Sequence, residues 1–245
     1  MPKTPRLHVV LVRPRNPLNI GAAARALSNF GFSSLRLVNP YAVAFREARS
    51  AVGAAELLTN ATEFQNVADA VADCSLVVGT TAVRHRELQQ PLKTLGVGAA
   101  VIRKRLAVGD VALLFGSEKH GLSTDDLSHC HWIQRIPTIG NISMNLGQAV
   151  AVCLYELARE GKIDKARDKT ARADSGQMER LTGLLFQALE ESGYVKPRSQ
   201  DLTKQKFRLL LRRLQVSPED AQVLQGMLRQ INWKIGGAGR NRTDA

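Results

Sequence analysis

Short, almost uninterrupted apolar runs alternate with helical patterns through the first 160 residues, and this alternation restricts the fold more than any other feature of the chain. A run such as Leu7–Val12 (LHVVLV) is typical of a strand that is buried on both faces of a parallel sheet. Five strands are predicted: Leu7–Val12, Leu35–Val38, Ser75–Gly79, Val111–Phe115 and Trp132–Ile136. Because strands that alternate with helices connect through right-handed crossovers, we expect an α/β fold with helices on both faces of the sheet.

Helical periodicity fills most of the intervals between these strands. Asn19–Phe30 is rich in Ala and stops at Gly31, a residue type that often follows the last turn of a helix. The other predicted helices are Arg46–Leu58, Glu63–Asp73, Val97–Leu106, a short helix from Thr124, and the long helix Met144–Glu160. Residues 1–160 are therefore predicted to form one domain with a large core.

The composition changes after Glu160. Residues 161–176 are highly charged and contain almost no large apolar side chain, so we interpret them as a linker. Residues 177–235 carry three amphipathic helical patterns, Met178–Ser192, Thr203–Leu214 and Ser217–Ile231, and are predicted to form a helical C-terminal extension. The polar, Gly-rich residues 236–245 are expected to be a disordered tail.

The stretch Ile136–Val150 (IPTIGNISMNLGQAV) combines the end of a strand, a polar loop and the start of a helix. Asn141 or Ser143 can cap that helix through its side-chain oxygen. This arrangement is the usual way in which an α/β protein builds a ligand site, although an ordinary strand-to-helix turn has the same pattern. Two other stretches have similar Gly-rich and polar loops at strand ends, which favours the ligand site.

The chain is strongly basic. It has 34 Lys and Arg against 22 Asp and Glu, a net charge of +12, and a pI near 10.1. This charge favours a polyanionic partner, and nucleic acid is the leading candidate. Aromatic residues make up only 5% of the chain, which argues against a platform that stacks single-stranded bases.

Neither a membrane span nor a secretion signal is visible in the sequence, so we expect a cytoplasmic protein. Cys74, Cys130 and Cys153 are widely separated, and we interpret them as core thiols. His129 and His131 flank Cys130 directly, and adjacent residues point in different directions. We therefore expect no metal site there.

Three stretches resemble the three sequence motifs of the SPOUT RNA methyltransferases, in particular those of the TrmH group. They are NIGAAARAL at Asn19–Leu27, LLFGSEKHGLS at Leu113–Ser123 and IPTIGNISMNLGQAVAV at Ile136–Val152. Their order and spacing are similar to those of bacterial tRNA (cytidine/uridine-2'-O)-methyltransferases, which also carry a helical C-terminal extension. The resemblance extends from Leu7 to about Arg159.

This resemblance implies a SPOUT fold with a deep C-terminal trefoil knot that holds S-adenosyl-L-methionine as co-substrate, without a metal. The implied cofactor-binding residues are Thr80, Thr81, Ala82, Leu114, Gly116, Gly121, Ile136, Ser143, Met144 and Asn145. Small residues suit such a slot, because the backbone itself must approach the adenine closely. The family often has Leu where this chain has Met144, a change that conserves volume.

The resemblance also implies a catalytic set, namely Arg25, Asn19, Glu118, Ser143 and Asn145. Arg25 is expected to orient the acceptor phosphate and to stabilise the developing alkoxide of a ribose 2'-hydroxyl. A structural ion pair is the alternative for Arg25, and helix capping is the alternative for Asn19. Glu118 is expected to hold Arg25 or a loop amide, or else to be an exposed first-turn residue.

The implied activity is S-adenosylmethionine-dependent methylation of a ribose 2'-hydroxyl in tRNA, at cytidine or uridine 32 of the anticodon loop. The implied assembly is a homodimer that pairs through the knot and buries the helix Met144–Glu160. Arg84 and Arg86 are candidate contacts to RNA phosphate, with a solvated loop as the alternative. The rival interpretations are a ribosomal RNA 2'-O-methyltransferase and a non-catalytic RNA-binding dimer.

Overall fold

The computed structural model describes residues 6–49, 55–81, 89–139, 142–159 and 171–240. Its centre is a seven-stranded sheet in which every pair of neighbouring strands is parallel, in the order β3-β2-β1-β6-β4-β7-β5. The strands are β1 Leu7–Val12, β2 Ser34–Val38, β3 Thr62–Phe64, β4 Leu76–Thr81, β5 Leu92–Thr94, β6 Val111–Phe115 and β7 Trp132–Arg135. The predicted α/β architecture is confirmed.

The five predicted strands form the interior of the sheet. Every residue of β1 and of β6 is buried, as expected for strands that are covered on both faces. The sequence prediction missed the two edge strands, β3 and β5, because each has only three residues and largely exposed side chains. The predicted helix over Glu63–Asp73 is therefore wrong at its start, and only Val67–Ala70 is helical there, after Asn66 as N-cap.

Ten helices cover the sheet or follow it among the described residues. They are α1 Pro17–Asn29, α2 Ala42–Arg49, α3 Ala55–Thr59, α4 Val67–Ala70, α5 Leu95–Leu106, α6 Thr124–Ser128, α7 Leu146–Ala158, α8 Ser175–Glu191, α9 Gln200–Arg213 and α10 Pro218–Arg240. The single helix predicted over Arg46–Leu58 is replaced by α2 and α3, and residues 50–54 between them lie outside the described residues.

Two predicted helix starts are wrong, because each helix is capped by a different residue from the predicted one. Helix α1 begins at Pro17, and the Asn16 side chain accepts a hydrogen bond from Leu18 N (2.9 Å), so Asn19 is not its cap. Proline at the first helical position has no backbone N–H that would need an acceptor, which favours this earlier start. Helix α7 begins at Leu146 and is capped by Asn145, whereas the prediction placed the cap at Ser143 or at Asn141, which lies outside the described residues.

Two apolar layers hold the helices to the sheet. On one face, α1, α5 and α7 contribute Leu27, Ile102 and Leu154, which are fully buried. Residues of α4 and α6 pack on the other face around Val77 and Leu114. The predicted core thiols are confirmed, since all three cysteines are free and buried. Burial raises the pKa of Cys130 and of Cys153 to about 12, so these thiols are poor nucleophiles.

The three C-terminal helices have a small core of their own and also pack on the α/β domain. Asp174 and Gln177 form a capping box at the start of α8, so this helix begins inside the predicted linker. Directly after the cap, Ser175 N and Gly176 N donate to Cys74 O (2.9 Å) and Ala72 O (2.8 Å). Within the described residues, no helix is both long enough and apolar enough to cross a membrane.

Helix α10 continues to Arg240, five residues beyond the predicted end of the extension. Residues 236–240, which were predicted to belong to the tail, are therefore helical. Two buried side chains anchor α10 along α8: Gln225 Nε2 donates to Gln177 O (3.1 Å), and Asn232 Nδ2 donates to Leu184 O (3.1 Å). These long-range bonds hold the middle of α10 against α8.

A buried arginine joins α9 to the α/β domain. Arg208 donates to both carboxylate oxygens of Glu179 (2.8 Å each) and to Ser128 Oγ (2.6 Å). Burial opposes the charge of Glu179, but the hydrogen bonds from Arg208 outweigh it and lower the pKa of that carboxyl. Arg212 lies one turn further along α9, and burial lowers its pKa to about 10.

A second polar cluster lies at the amino ends of the strands. His8, Asp73 and Cys74 bring their ligand atoms within 4.8 Å of one another, close enough for a metal ion. The guanidinium of Arg36 occupies this cluster, since it donates to both Asp73 carboxylate oxygens (2.6 and 2.8 Å) and lies 3.1 Å from His8 Nε2. The cluster therefore already contains its cation.

The buried His129 predicts an acid-labile fold. Burial, together with Arg208 and Arg212, lowers its pKa to about 3 in the folded chain, against an ordinary histidine pKa of 6.5. Between pH 6.5 and 3 the unfolded chain therefore binds more protons, so this histidine's contribution to stability is present above pH 6.5 and is lost as the pH falls. Its contribution to the slope is at most about 1.4 kcal/mol per pH unit.

Urea unfolding of the wild type and of His129→Gln at several pH values measures this contribution. We expect the free energy of unfolding of the variant to depend less steeply on pH within that window. The same change at the exposed His120 is the control and should leave the slope unaltered. Equal slopes for the wild type and His129→Gln would contradict the prediction.

Candidate active site

The candidate site is a cavity of about 570 Å³ at the carboxyl ends of β4, β6 and β7. It is lined by Asn19, Thr80, Thr81, Phe115, Gly116, Ser117, Glu118, Lys119, His120, Gly121, Leu122, Leu127, Ile136, Thr138, Ile142, Ser143, Met144, Asn145, Leu146 and Ala149. This edge of a parallel sheet is where α/β proteins bind ligands. Eight of the lining residues belong to the stretch 136–150 that was singled out from the sequence.

The loop after β6 can only close with glycine at two positions. A Cβ on Gly116 would lie 2.0 Å from the backbone carbon of Gly121 and 2.2 Å from Leu122 N, so no side chain fits. Gly121 has a φ of +66°, which disfavours other residues. Its N–H donates to Ser117 O (2.8 Å) and closes the turn that presents residues 118–120.

One carboxylate connects this loop to the start of α1. Glu118 Oε1 accepts hydrogen bonds from Asn19 Nδ2 (2.8 Å) and Asn16 N (3.2 Å), and Oε2 accepts from Arg15 N (3.3 Å). Of the roles expected for Glu118, the structure shows the contact to loop amides, and its partners do not include Arg25. The guanidinium of Arg13, in the loop between β1 and α1, pairs with Asp126 and so joins that loop to α6.

The hydrogen bonds continue from Asn19 to the third motif. Because the Asn19 amide nitrogen donates to Glu118, its oxygen is free to accept, and it does so from Asn145 Nδ2 (2.7 Å). The oxygen of Asn145 accepts in turn from Gly147 N (2.9 Å) and Gln148 N (3.3 Å) at the start of α7. Each amide thus has a fixed orientation, and the three sequence motifs form one connected unit.

Most of the implied cofactor residues line the cavity. Those described at its wall are Thr80, Thr81, Gly116, Gly121, Ile136, Ser143, Met144 and Asn145. Leu114 does not line it: its side chain is in the core, and its carbonyl accepts from Thr80 Oγ1 (2.9 Å). Ala82, Arg84 and Arg86 lie outside the described residues.

Arg25 does not line the cavity, and its side chain is exposed. It makes no hydrogen bond or ion pair with any described residue, so the structure shows no structural ion pair of Arg25 within the described part of the chain. The reason is helical geometry: Arg25 follows Asn19 by six residues, which turns it about 120° away from the cavity-facing side of α1. It lies instead on the same side as Leu18.

The sequence analysis missed part of the cavity wall. Leu127, Ile142 and Ala149 add apolar surface, and Thr138 Oγ1 donates to Ile142 O (2.8 Å) across the loop that precedes α7. The threonine contact had no signal in the sequence, since no local turn rule joins a hydroxyl to a carbonyl four residues later. The apolar residues gave no signal either, since they also fit a buried core.

The sequence model of the SpoU rRNA Methylase family matches residues 6–155, more than half of the chain. The chain therefore belongs to the SpoU methylase family of methyltransferases. Its sheet and site agree with this class, and the resemblance to the SPOUT methyltransferases is confirmed.

Relatives named TrmJ are similar to the chain over nearly its whole length. The tRNA (cytidine/uridine-2'-O-)-methyltransferase TrmJ of Sodalis glossinidius is 35% identical over 233 residues, which cover 92% of this chain and 91% of the relative. The tRNA (cytidine/uridine/adenosine-2'-O-)-methyltransferase TrmJ of Pseudomonas aeruginosa is 32% identical and covers 98% of both chains. The crystal structure of TrmJ from Z. mobilis ZM4 has a TM-score of 0.80 and 35% identity, with 94% of this chain and 99% of that chain covered.

The connection between Glu118 and Asn19 predicts the effect of an isosteric substitution. Asn19→Asp would replace the donor with a second carboxylate oxygen 2.8 Å from Glu118, while the oxygen that accepts from Asn145 is kept. We expect a loss of about 2 kcal/mol in the free energy of unfolding at pH 7. Part of it should return at pH 5, because the close carboxylates raise one another's pKa and a protonated acid can donate.

Urea unfolding at both pH values measures the effect. The matched control is Asn16→Asp, because the Asn16 side chain is shown only as an acceptor, its backbone N–H is kept by the substitution, and an aspartate caps a helix equally well. If the two variants were equally stable at pH 7, the assignment of the Asn19 amide nitrogen as a donor to Glu118 would be wrong.

Proposed function

We propose that the chain transfers a methyl group from S-adenosyl-L-methionine to a ribose 2'-hydroxyl in tRNA. The observation that carries this proposal is the cavity whose three walls are connected through Glu118, Asn19 and Asn145. The names of the TrmJ relatives support the substrate class, and cytidine or uridine 32 of the anticodon loop is the proposed target. The enzyme would work in the cytoplasm, without a metal.

The cavity fits the proposed co-substrate in size and in lining. Pockets of about 300–1,000 Å³ accommodate ligands of this size. Leu127, Ile136 and Leu146 offer apolar surface for a planar adenine, and Gly116 and Gly121 allow close approach of the backbone. The sites proposed to hold the ligand are Thr80, Thr81, Gly116, Gly121, Ile136, Ser143, Met144 and Asn145. Ala82 and the backbone carbonyl of Leu114 are the remaining groups proposed to bind the ligand.

Bound S-adenosyl-L-methionine supplies an activated methyl group on a sulfonium, so the chain's own residues need only position the acceptor and stabilise charge. Asn19, Glu118, Ser143 and Asn145 are proposed to shape the site in which the ribose meets the methyl group. Arg25 is proposed to orient the acceptor phosphate and to stabilise the developing alkoxide. An arginine is protonated throughout the working pH range, so it is not proposed as the general base.

A homodimer would bring Arg25 to a reaction site. Leu18 is 78% exposed, and it lies on the same side of α1 as Arg25. Tyr155 on the neighbouring α7 is also exposed, with its ring packed edge-on against Phe30. Such apolar side chains on two adjacent helices favour pairing with a second copy through this region, in which the trefoil knot is also proposed to lie. In that arrangement each Arg25 would face the partner's cavity.

The first test is transfer of labelled methyl from S-adenosyl-L-methionine to total tRNA and, separately, to ribosomal RNA, followed by nucleoside analysis. Label in tRNA as 2'-O-methylcytidine or 2'-O-methyluridine is the expected result. Label in ribosomal RNA alone would support the proposed methyl transfer but contradict tRNA as the substrate. Binding of RNA with no affinity for S-adenosyl-L-methionine would instead indicate the non-catalytic dimer.

Substitution of Arg25 tests its role. Arg25→Lys keeps the charge but loses the planar pair of donors, so we expect kcat to fall about 100-fold with little change in the affinity for S-adenosyl-L-methionine. Arg229→Lys, at an exposed position of α10, is the matched control and should retain full activity. Near-full activity of Arg25→Lys would contradict a bidentate role.

A further inference from the structure

Two cationic side chains flank Glu118 at the rim of the cavity. Arg15 lies in the loop between β1 and α1, with its backbone N–H on Glu118 Oε2 (3.3 Å), and Lys119 follows Glu118 directly in the chain. Both side chains are exposed. Lys119 also lines the cavity itself. The two cations thus stand close to the place where a substrate must enter.

No anion of the described chain neutralises either of them. The carboxylate between them, Glu118, is engaged by three uncharged donors: two backbone N–H groups and the Asn19 amide. Neither Arg15 nor Lys119 makes a side-chain hydrogen bond or ion pair with the described residues. Arg13 in the same loop provides a contrast, because its guanidinium is paired with Asp126.

The backbone under both side chains is fixed. The Arg15 loop is held by Glu118 at two successive amides, and the Lys119 loop is closed by the hydrogen bond from Gly121 N to Ser117 O (2.8 Å). The backbone positions from which the two side chains extend are therefore set before any ligand binds. Such preorganisation lowers the entropic cost of binding an anion.

We infer that Arg15 and Lys119 bind the RNA phosphates next to the target ribose. This inference rests on the proposed function. A ribose 2'-hydroxyl is attached to the carbon next to the one that carries the 3'-phosphate, so a ribose at the cavity mouth necessarily brings a phosphate to the rim. Two cationic side chains that have no partner among the described residues and that extend from a fixed backbone at that rim match this ligand chemistry.

The test is the salt dependence of tRNA binding, because each phosphate contact releases counterions. Kd for tRNA is measured between about 50 and 200 mM salt for the wild type, Arg15→Gln and Lys119→Gln. Each variant should weaken binding about fivefold at the lower salt and reduce the slope of log K against log salt by roughly 0.7 to 0.9. KM for tRNA should rise in step for both variants, and for Arg15→Gln, whose side chain does not line the cavity, kcat and the affinity for S-adenosyl-L-methionine should stay unchanged.

The matched control is Lys104→Gln. Lys104 is an exposed lysine in the last turn of α5, and that turn lies at the amino-end edge of the sheet, opposite the cavity. The control removes the same charge from the chain at a distance from the rim. If Arg15→Gln and Lys119→Gln changed the slope no more than Lys104→Gln does, the effect would be one of net charge and the inference would be overturned.

Charge reversal provides a second measurement. Arg15→Glu and Lys119→Glu should weaken tRNA binding more than the neutral variants do, and unchanged thermal unfolding verifies that each variant is folded. Wild-type protein that neither binds nor methylates tRNA would overturn the proposed function together with this inference. Wild-type protein that methylates tRNA, combined with rim variants that behave like the control, would overturn the inference alone.

Discussion

The carboxylate of Glu118 is the interaction on which the candidate site depends. It accepts from two backbone amides before α1 and from the Asn19 side chain, and through Asn19 it fixes Asn145 at the start of α7. Three segments that are far apart in the sequence are therefore held at one edge of the sheet by a few short hydrogen bonds. The arrangement also has a chemical consequence: because the donors to this carboxylate are uncharged, the nearby side chains of Arg15 and Lys119 are not held by it and are left for a ligand.

Much of the fold follows from local patterns, and its errors have local causes too. Strands such as β1 and β6 were predictable because burial on both faces demands consecutive apolar residues. The edge strands β3 and β5 were not, since an exposed three-residue strand is defined by its neighbour's hydrogen bonds and not by its own composition. Helix α10 was predicted too short because the Gly-rich composition of its last turns does not favour a helix.

The candidate site was predictable as a set of motifs but not as a network. The stretch 136–150 and the glycines at 116 and 121 were visible as loops that follow strands, and they line the cavity. The pairing of Asn19 with Glu118 and with Asn145 spans 99 and 126 positions, and no local rule connects residues at such distances. The orientation of Arg25 was equally hidden, because it depends on which side of α1 packs against α7.

The docking of the C-terminal helices has a consequence for how the chain is made. Ser128 lies in the α/β domain and its hydroxyl donates to the nearby Asp125 O (2.6 Å), but the arginine that donates to its oxygen is residue 208, eighty positions later in the chain. A polypeptide that is still growing on the ribosome therefore exposes this polar surface until α9 has emerged, since synthesis proceeds from the amino terminus at a finite rate. Completion of the α/β domain is in this respect a late event, delayed by long sequence separation and not by any weakness of the sheet.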